Sequence, residues 1–275
     1  MRLSRSHPRY ASLRVRAHLA EMTRAGLVAP EGLIAHGRGE TFDYLLGERT
    51  SPSARLAERR AAAWLLSARH PVLSVNGNVA ALAATEVARL VRACPGLRVE
   101  VNLFHRTPAR ARAVARALTS AGVRTVWGIR PTARIPGLPS DRARVDRRGI
   151  YTADLCVVPL EDGDRTEALR ALGKKVISID LNPLSRTSGQ ADLPIVDELR
   201  RALAQITRDL EAAGPPDRTG RFTPFDRRAA LRGAMMTIGR NLRRAAAARP
   251  RPSAAPVRAS RRPARGSGGR SRRTP

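Results

Sequence analysis

Six short apolar runs recur along the middle of the chain, five of them passing through a polar turn into a helical pattern or a long loop. They are PVLSV (71–75), LRVEVNLF (97–104), VRTVWG (123–128), DLCVVPL (154–160), KVISIDL (175–181) and LPIVD (193–197). Apolar residues at helical spacing follow over 79–93, 107–120, from the acidic turn 161–165 to 172, and from 198 to about 213. A long loop, RPTARIPGLPSDRARVDRRG, separates the third run from the fourth. Strands alternating with helices of this length build βαβ units, so the class is α/β with a mostly parallel sheet flanked by helices. Right-handed crossovers put all strand C-terminal ends on one edge, and ligands bind in the crevice outside it.

That rule assembles four polar turns that are distant in sequence. They are Asn76-Gly77-Asn78, His105-Arg106, Glu161 to Arg165, and Asp180 to Thr187. The last, DLNPLSRTS (180–188), is the densest set of hydrogen-bonding side chains after any strand. Asp180 and Asn182 suit the ribose and base edge of a nucleotide, and Arg186 suits a phosphate, as a delocalised fork. Asn78 is equally placed to cap the helix that follows it. Glu161, Asp162 and Asp164 form an acidic cluster in a basic chain. They fit either a Mg²⁺ or ammonium pocket or a helix first turn, with Asp164 as the cap.

Around this frame, residues 10–26 predict a helix, 27–40 a loop carrying His36, and Ser51-Pro52 the start of a helix to about Arg69. After Gly214-Pro215-Pro216 an amphipathic helix is expected at about 226–245, with Leu231, Met235, Ile238 and Leu242 on the face that makes core or subunit contact. The expected organisation is therefore a core over 1–213, a helical segment over 214–246 and a tail over 247–275. Residues 249–275 hold nine Arg and no acid among Pro, Gly, Ser and Ala, a composition that predicts disorder.

The net charge of +28 invites a nucleic-acid reading. It is discounted because lysine occurs only at Lys174 and Lys175, a bias that a GC-rich coding sequence imposes. Aromatics are only 3% of the chain, few for stacking bases, so polyanion or RNA contact is confined to the tail as nonspecific binding. No apolar run reaches about 18 residues and no apolar stretch follows the charged start, so a cytoplasmic chain without membrane segments is expected. The two cysteines, Cys94 and Cys156, read as buried free thiols. The five histidines lack metal-ligand spacing, and P-loop, dinucleotide, CxxC, HExxH and GxSxG motifs are absent. The residues alone indicate an α/β enzyme with a nucleotide-like, phosphate-rich site.

Longer blocks add a resemblance. SHPRY (6–10), GLIAHGRGETFDYLLGE (32–48), HPVLSVNGNVAAL (70–82), IRPTARIPGLP (129–139), VPLEDGDRTEAL (158–169) and DLNPLSRTS (180–188) resemble the archaeal phosphopantothenate synthetase family, the 4-phosphopantoate–β-alanine ligases of coenzyme A biosynthesis. The resemblance covers roughly 5–200 and implies a Rossmann-like fold, a homodimer, and ATP with Mg²⁺. It implies that 4-phosphopantoate, β-alanine and ATP give 4′-phosphopantothenate, AMP and diphosphate, through an acyl-adenylate. It places ATP contacts on Arg16, Arg38, Asp180, Leu181, Asn182, Arg186, Thr187, Asp197 and Glu198. Thr187 stands where the family carries Ser and keeps the hydroxyl; Glu198 stands where it carries Asn, so the contact expected there is from the backbone. With this reaction in view, Asn76, Gly77, Asn78, Arg106 and Arg165 are assigned to substrate binding. His36, Asp162 and Asp164 are candidates for taking the ammonium proton. The rivals are a ligase or kinase for another phosphorylated hydroxy acid, and an RNA- or polyanion-binding protein.

Overall fold

The computed structural model describes residues 5–7 and 9–248; the expected disordered tail at 249–275 lies outside them. The Ser51 hydroxyl accepts the Ala54 amide at 3.2 Å and Pro52 fills the first turn, so α3 (Pro52–Ser67) begins where its two start signals stand together. Before it lie α1 (Tyr10–Arg24) and α2 (Pro30–Leu46). After it come β1 (Pro71–Val75), α4 (Gly77–Ala93), β2 (Arg98–Val101), α5 (Pro108–Ser120) and β3 (Val126–Trp127). The chain continues through β4 (Ala133–Arg134), β5 (Arg144–Val145), β6 (Leu155–Pro159), α6 (Gly163–Ala171), β7 (Lys175–Ile179) and α7 (Arg186–Gln190). It closes with β8 (Leu193–Ile195), α8 (Leu199–Glu211) and α9 (Arg227–Ala247).

Six strands form one parallel sheet in the order β3-β2-β1-β6-β7-β8. Register is fixed by side chains that must all face one way. Leu73 pairs with Val99 and Val157, Val157 with Ile177, and Ile177 with Leu193. This row packs against α3, α4, α5 and α8 in the main core. The alternate residues Val72, Cys156, Val158 and Val176 face a second core with Ile135, Val145, Ile150 and Leu169. Both faces are buried, which is why these strands read as continuous apolar runs. The order reverses between β1 and β6, so the crevice for ligands opens there.

Four expectations are corrected. Residues 30–46 are helix, although 27–40 reads as loop. Glycines disfavour a helix, but Gly32 is present for contact: a Cβ would overlap the Asn78 amide oxygen, and Asn78 Nδ2 donates to the Gly32 carbonyl at 2.8 Å. Gly47, at φ 88°, ends the helix in the left-handed cap. The long loop contains a two-stranded antiparallel hairpin, β4–β5, with a 3-10 turn at Asp141–Ala143 and a π-type turn at Arg147–Tyr151. The cap of α4 is Asn76, whose Oδ1 accepts the Val79 amide at 3.0 Å, and Asn78 lies inside the helix. In α6 the N-cap position is Asp162, without a side-chain cap bond, and Asp164 lies in the first turn.

The α9 stripe divides between core and surface. Leu231 and Ile238 join Ala234 in a small core with Leu46, Leu181 and Val196, while Met235 and Leu242 are exposed. Cys94 and Cys156 are buried free thiols, and burial pushes Cys156 up to about 12. Lys174 is also buried, its Nζ donating to the Tyr151 and Ala153 carbonyls at 2.7 and 2.8 Å. Among the described residues no helix is long and apolar enough to cross a membrane.

Candidate active site

A cavity of about 880 Å³ opens at the C-terminal edge of the sheet, roofed by α1 and α2. Its centre lies at the β1/β6 reversal. Asn76 Nδ2 donates to the carbonyls of Pro159 and Leu160 at 3.2 and 3.0 Å, tying the two strand ends together. Leu160 is held at φ 52°, a strained conformation for a branched side chain. Gly77 opens α4 on the wall, and the Leu27 carbonyl approaches so closely that no Cβ fits.

On the β7 side, Asp180 accepts the Asn182 amide at 3.0 Å, and Asn182 accepts the Leu184 amide at 2.9 Å. Burial raises the Asp180 carboxyl above its usual range, opposed by hydrogen bonds from Ser185 and Asn182 and by the Arg38 charge. Thr187 donates to the Glu161 carbonyl at 2.6 Å, joining the β6 and β7 turns. Gly163 is required here because its Cβ would meet Arg186. Leu181 lies against Gly39 of α2.

Beyond β8, Glu198 caps α8 by accepting the Arg201 amide at 3.0 Å, and burial raises its carboxyl. Asp197 accepts from Thr50 at 2.6 Å and faces Arg201 at 2.7 Å, while Arg201 also meets Asp43 at 2.5 Å. Glu58 is fully buried beside Asp197, and burial followed by that carboxylate pushes its pKa up.

The acidic turn is neutralised by arginines. Glu161 pairs with Arg142 and, at 3.0 Å, with Arg165; Asp162 pairs with Arg142 at 2.9 Å; Asp164 meets Arg186 at 2.5 Å. Three opposing guanidinium groups remove the field that an open cation pocket would need. Among the described residues, no three His, Cys, Asp or Glu side chains stand together as a metal cage. The half-exposed Asp162 suits a Mg²⁺ that arrives on phosphates, because such an ion takes only one or two carboxylates.

Of the residues singled out from sequence, His36, Arg38, Asn76, Gly77, Asn78, Asp162, Asp180, Leu181, Asn182, Arg186, Thr187 and Glu198 line this one cavity. Arg16 stands behind it, paired with the wall residue Glu40 at 2.6 Å, and Asp197 lies beneath it. Asp164 faces a neighbouring groove beside Pro136 and Pro139. Arg165 is buried below the floor, donating to Ser74 at 2.8 Å. Arg106 turns away and donates to the Gly128 and Ile129 carbonyls. His36 lies on the helical roof, and burial lowers its pKa below the ordinary histidine value.

The profile described as phosphopantothenate/pantothenate synthetase matches residues 53–241. The chain belongs to this family. A Methanospirillum hungatei relative is 58% identical over 203 residues, covering 74% of this chain and 82% of its own. A Thermococcus onnurineus relative is 53% identical over 75% of this chain and 79% of its own, and one from Methanosarcina mazei is 48% identical over 88% and 96%. All three are named 4-phosphopantoate–β-alanine ligase.

In this phosphopantothenate/pantothenate synthetase family member, Glu40, Arg110, Arg142 and Arg201 also line the cavity and were missed from sequence. Arg110 was accessible to reasoning, because it lies in the first turn of the helix after β2 and so near the rim. Arg142 carried no such signal. Its position depends on the hairpin folding back so that Asn102 Nδ2 holds the Arg142 carbonyl at 3.0 Å.

Proposed function

We propose that the chain is an ATP-dependent ligase joining 4-phosphopantoate to β-alanine. The products are 4′-phosphopantothenate, AMP and diphosphate, and the reaction serves coenzyme A biosynthesis in the cytoplasm. The observation that carries the reading is that relatives covering three quarters of the chain or more bear that ligase name. The cavity supports it, lined by a carboxylate–amide pair, Asp180 and Asn182, with Arg186 beyond them and the Arg38 charge reaching Asp180 from the roof.

A carboxylate resists attack by an amine, so the reaction activates it. The phosphopantoate carboxylate attacks the α-phosphate, diphosphate leaves, and the amine of β-alanine then displaces AMP. Asp180 and Asn182 hold ribose and base, and Arg38 and Arg186 offset the phosphate charge; a Mg²⁺ held by Asp162 would add to that neutralisation. Arg16 acts by holding Glu40, and Asp197 by fixing Arg201. The Glu198 contact is that of the α8 N-terminus it caps. Asn78 keeps the roof against α4 through Gly32. His36 is neutral at pH 7, since burial lowers its pKa, so it can accept the ammonium proton before attack. The exposed apolar residues of α9, Met235, Met236 and Leu242, offer a surface for a homodimer.

The test is incubation with ATP, Mg²⁺, 4-phosphopantoate and β-alanine. AMP and 4′-phosphopantothenate are expected in equal amounts. ADP with phosphate would replace the adenylate route by an acyl phosphate, and no turnover would discard the ligase reading.

A further inference from the structure

The cavity has two ends, separated by the strand order. Asp180 to Thr187 follow β7, whereas Leu103, Phe104 and His105 follow β2, three inter-strand steps away in β2-β1-β6-β7. At strand spacing that is about 14 Å. The nucleotide reading occupies the β7 end and leaves the β2 end without a ligand.

Two arginines line the β2 end, and their electrostatic states differ. Arg142 is buried against Glu161 and Asp162, with its guanidinium 5.9 Å over the Phe104 ring, so its charge is already matched. Arg110 is half-buried on the same wall, and its Nη1 donates to the His105 carbonyl. Its Nε is buried and has no partner in the protein. Glu31 is the acid whose field reaches it, but that carboxylate is mostly exposed and lies 3.8 Å from His105. Among the described residues Arg110 forms no ion pair. Burial accordingly lowers its pKa, the cost of a desolvated cation without a counter-ion.

We propose that Arg110 binds the phosphate of the phosphorylated hydroxy acid at the β2 end of the cavity, and so makes the site selective for the phosphorylated over the unphosphorylated acid. This rests on the ligase reading above. A planar guanidinium with free N–H groups suits a phosphate dianion as a two-point partner. With its phosphate at the β2 end, the acid has its carboxylate directed to the β1/β6 reversal, where the nucleotide phosphates arrive. The acid's phosphate is then separated from the nucleotide phosphates, which limits their repulsion.

The experiment compares wild type, Arg110→Gln and Arg110→Lys, with Arg116→Gln on the exposed side of the same helix as control. Initial rates are measured with each substrate varied, and thermal melts report folding. Arg110→Gln should raise the KM for 4-phosphopantoate at least tenfold and leave the KM values for ATP and β-alanine within twofold. Calorimetry without ATP should show 4-phosphopantoate binding Arg110→Gln no better than pantoate does. Arg110→Lys, which keeps the charge but not the fork, should fall between; it also serves if the Gln variant is unfolded. A 4-phosphopantoate KM within twofold of wild type in a folded variant would overturn the proposal, as would a rise confined to ATP. A wild type that does not ligate 4-phosphopantoate would overturn the ligase reading itself.

Discussion

The Arg186 guanidinium lies 2.5 Å from the Asp164 carboxylate and 3.7 Å from Glu167, although the Arg186 side chain is 67% exposed. An exposed pair of this kind contributes little to stability, so Arg186 is free to exchange its acids for a phosphate. Arg186→Ala should weaken use of ATP by about 1.5–3 kcal/mol, the scale of a charge-assisted hydrogen bond, with an unchanged melting temperature. Asp164→Asn removes the competitor and should lower the KM for ATP without altering that for β-alanine. Steady-state kinetics with each substrate varied checks both. Unchanged ATP constants in Arg186→Ala would take this residue out of the site.

His36 supplies a pH signature. Its folded-state pKa lies below the ordinary value of 6.5 because it is buried in the roof, with Arg16 adding to the effect and Glu40 opposing it. The neutral, proton-accepting form therefore persists to lower pH than in a free histidine. In wild type, the fall in kcat/KM for β-alanine on acidification should therefore come at lower pH than the 6.5 of a free histidine. His36→Asn should lose about 100-fold in kcat, a typical loss of a general base. A variant that keeps the wild-type rate would assign the proton to another acceptor.

Glu100 ties folding stability to pH. It is fully buried on β2, accepts the amides of Asp146 and Ile150 at 2.8 and 2.6 Å, and burial pushes it from 4.5 to about 7. Between those values the folded chain holds a proton that the unfolded chain has released. Its contribution is thus fully present below about pH 4.5 and is lost as pH rises through about 7, by roughly 3 kcal/mol in all. Denaturant titrations of wild type and Glu100→Gln at about pH 5 and about pH 8 should show the flatter dependence in the variant. Parallel curves would show that Glu100 does not titrate in this window.

Gly32 is a tight contact between roof and core. Gly32→Ala drives a methyl group into the Asn78 amide and should cost about 1–3 kcal/mol, the usual penalty for overpacking. Gly37→Ala, on the same helix but with open space around it, should be neutral or slightly stabilising. Equal melting temperatures for the two variants would contradict the packing.

Removing residues 249–275 should leave the ligase rate intact. The family match ends at residue 241, and the removed segment has few apolar side chains to contribute to a core. A soluble, folded truncation with lost activity would give the tail a role in the reaction.

The sheet was legible because both of its faces are buried, so strands such as KVISI announced themselves as apolar runs, and Ser51-Pro52 marked a helix start by local chemistry. The turns after β1, β6 and β7 were legible for the same reason, since parallel topology alone brings them to one edge. The helix over the site was not. Its glycines carry information about contact with Asn78 and Leu181, which no local pattern encodes. Arg106 and Arg110 lie four residues apart around one helix start. Which of them faces the cavity depends on the Gly128 and Ile129 carbonyls, which capture Arg106.

The two lysines make the molecule addressable by amine chemistry. The Lys174 amine is engaged by two backbone carbonyls in the interior, whereas the Lys175 side chain is 43% exposed. An amine-reactive dye therefore finds one open lysine, at the first residue of β7. The cavity lies past the last residue of that strand, about 16 Å away at strand rise. A fluorophore on Lys175 would sit outside the reaction chamber and within energy-transfer range of a labelled nucleotide inside it, so occupancy could be followed optically without a mutation.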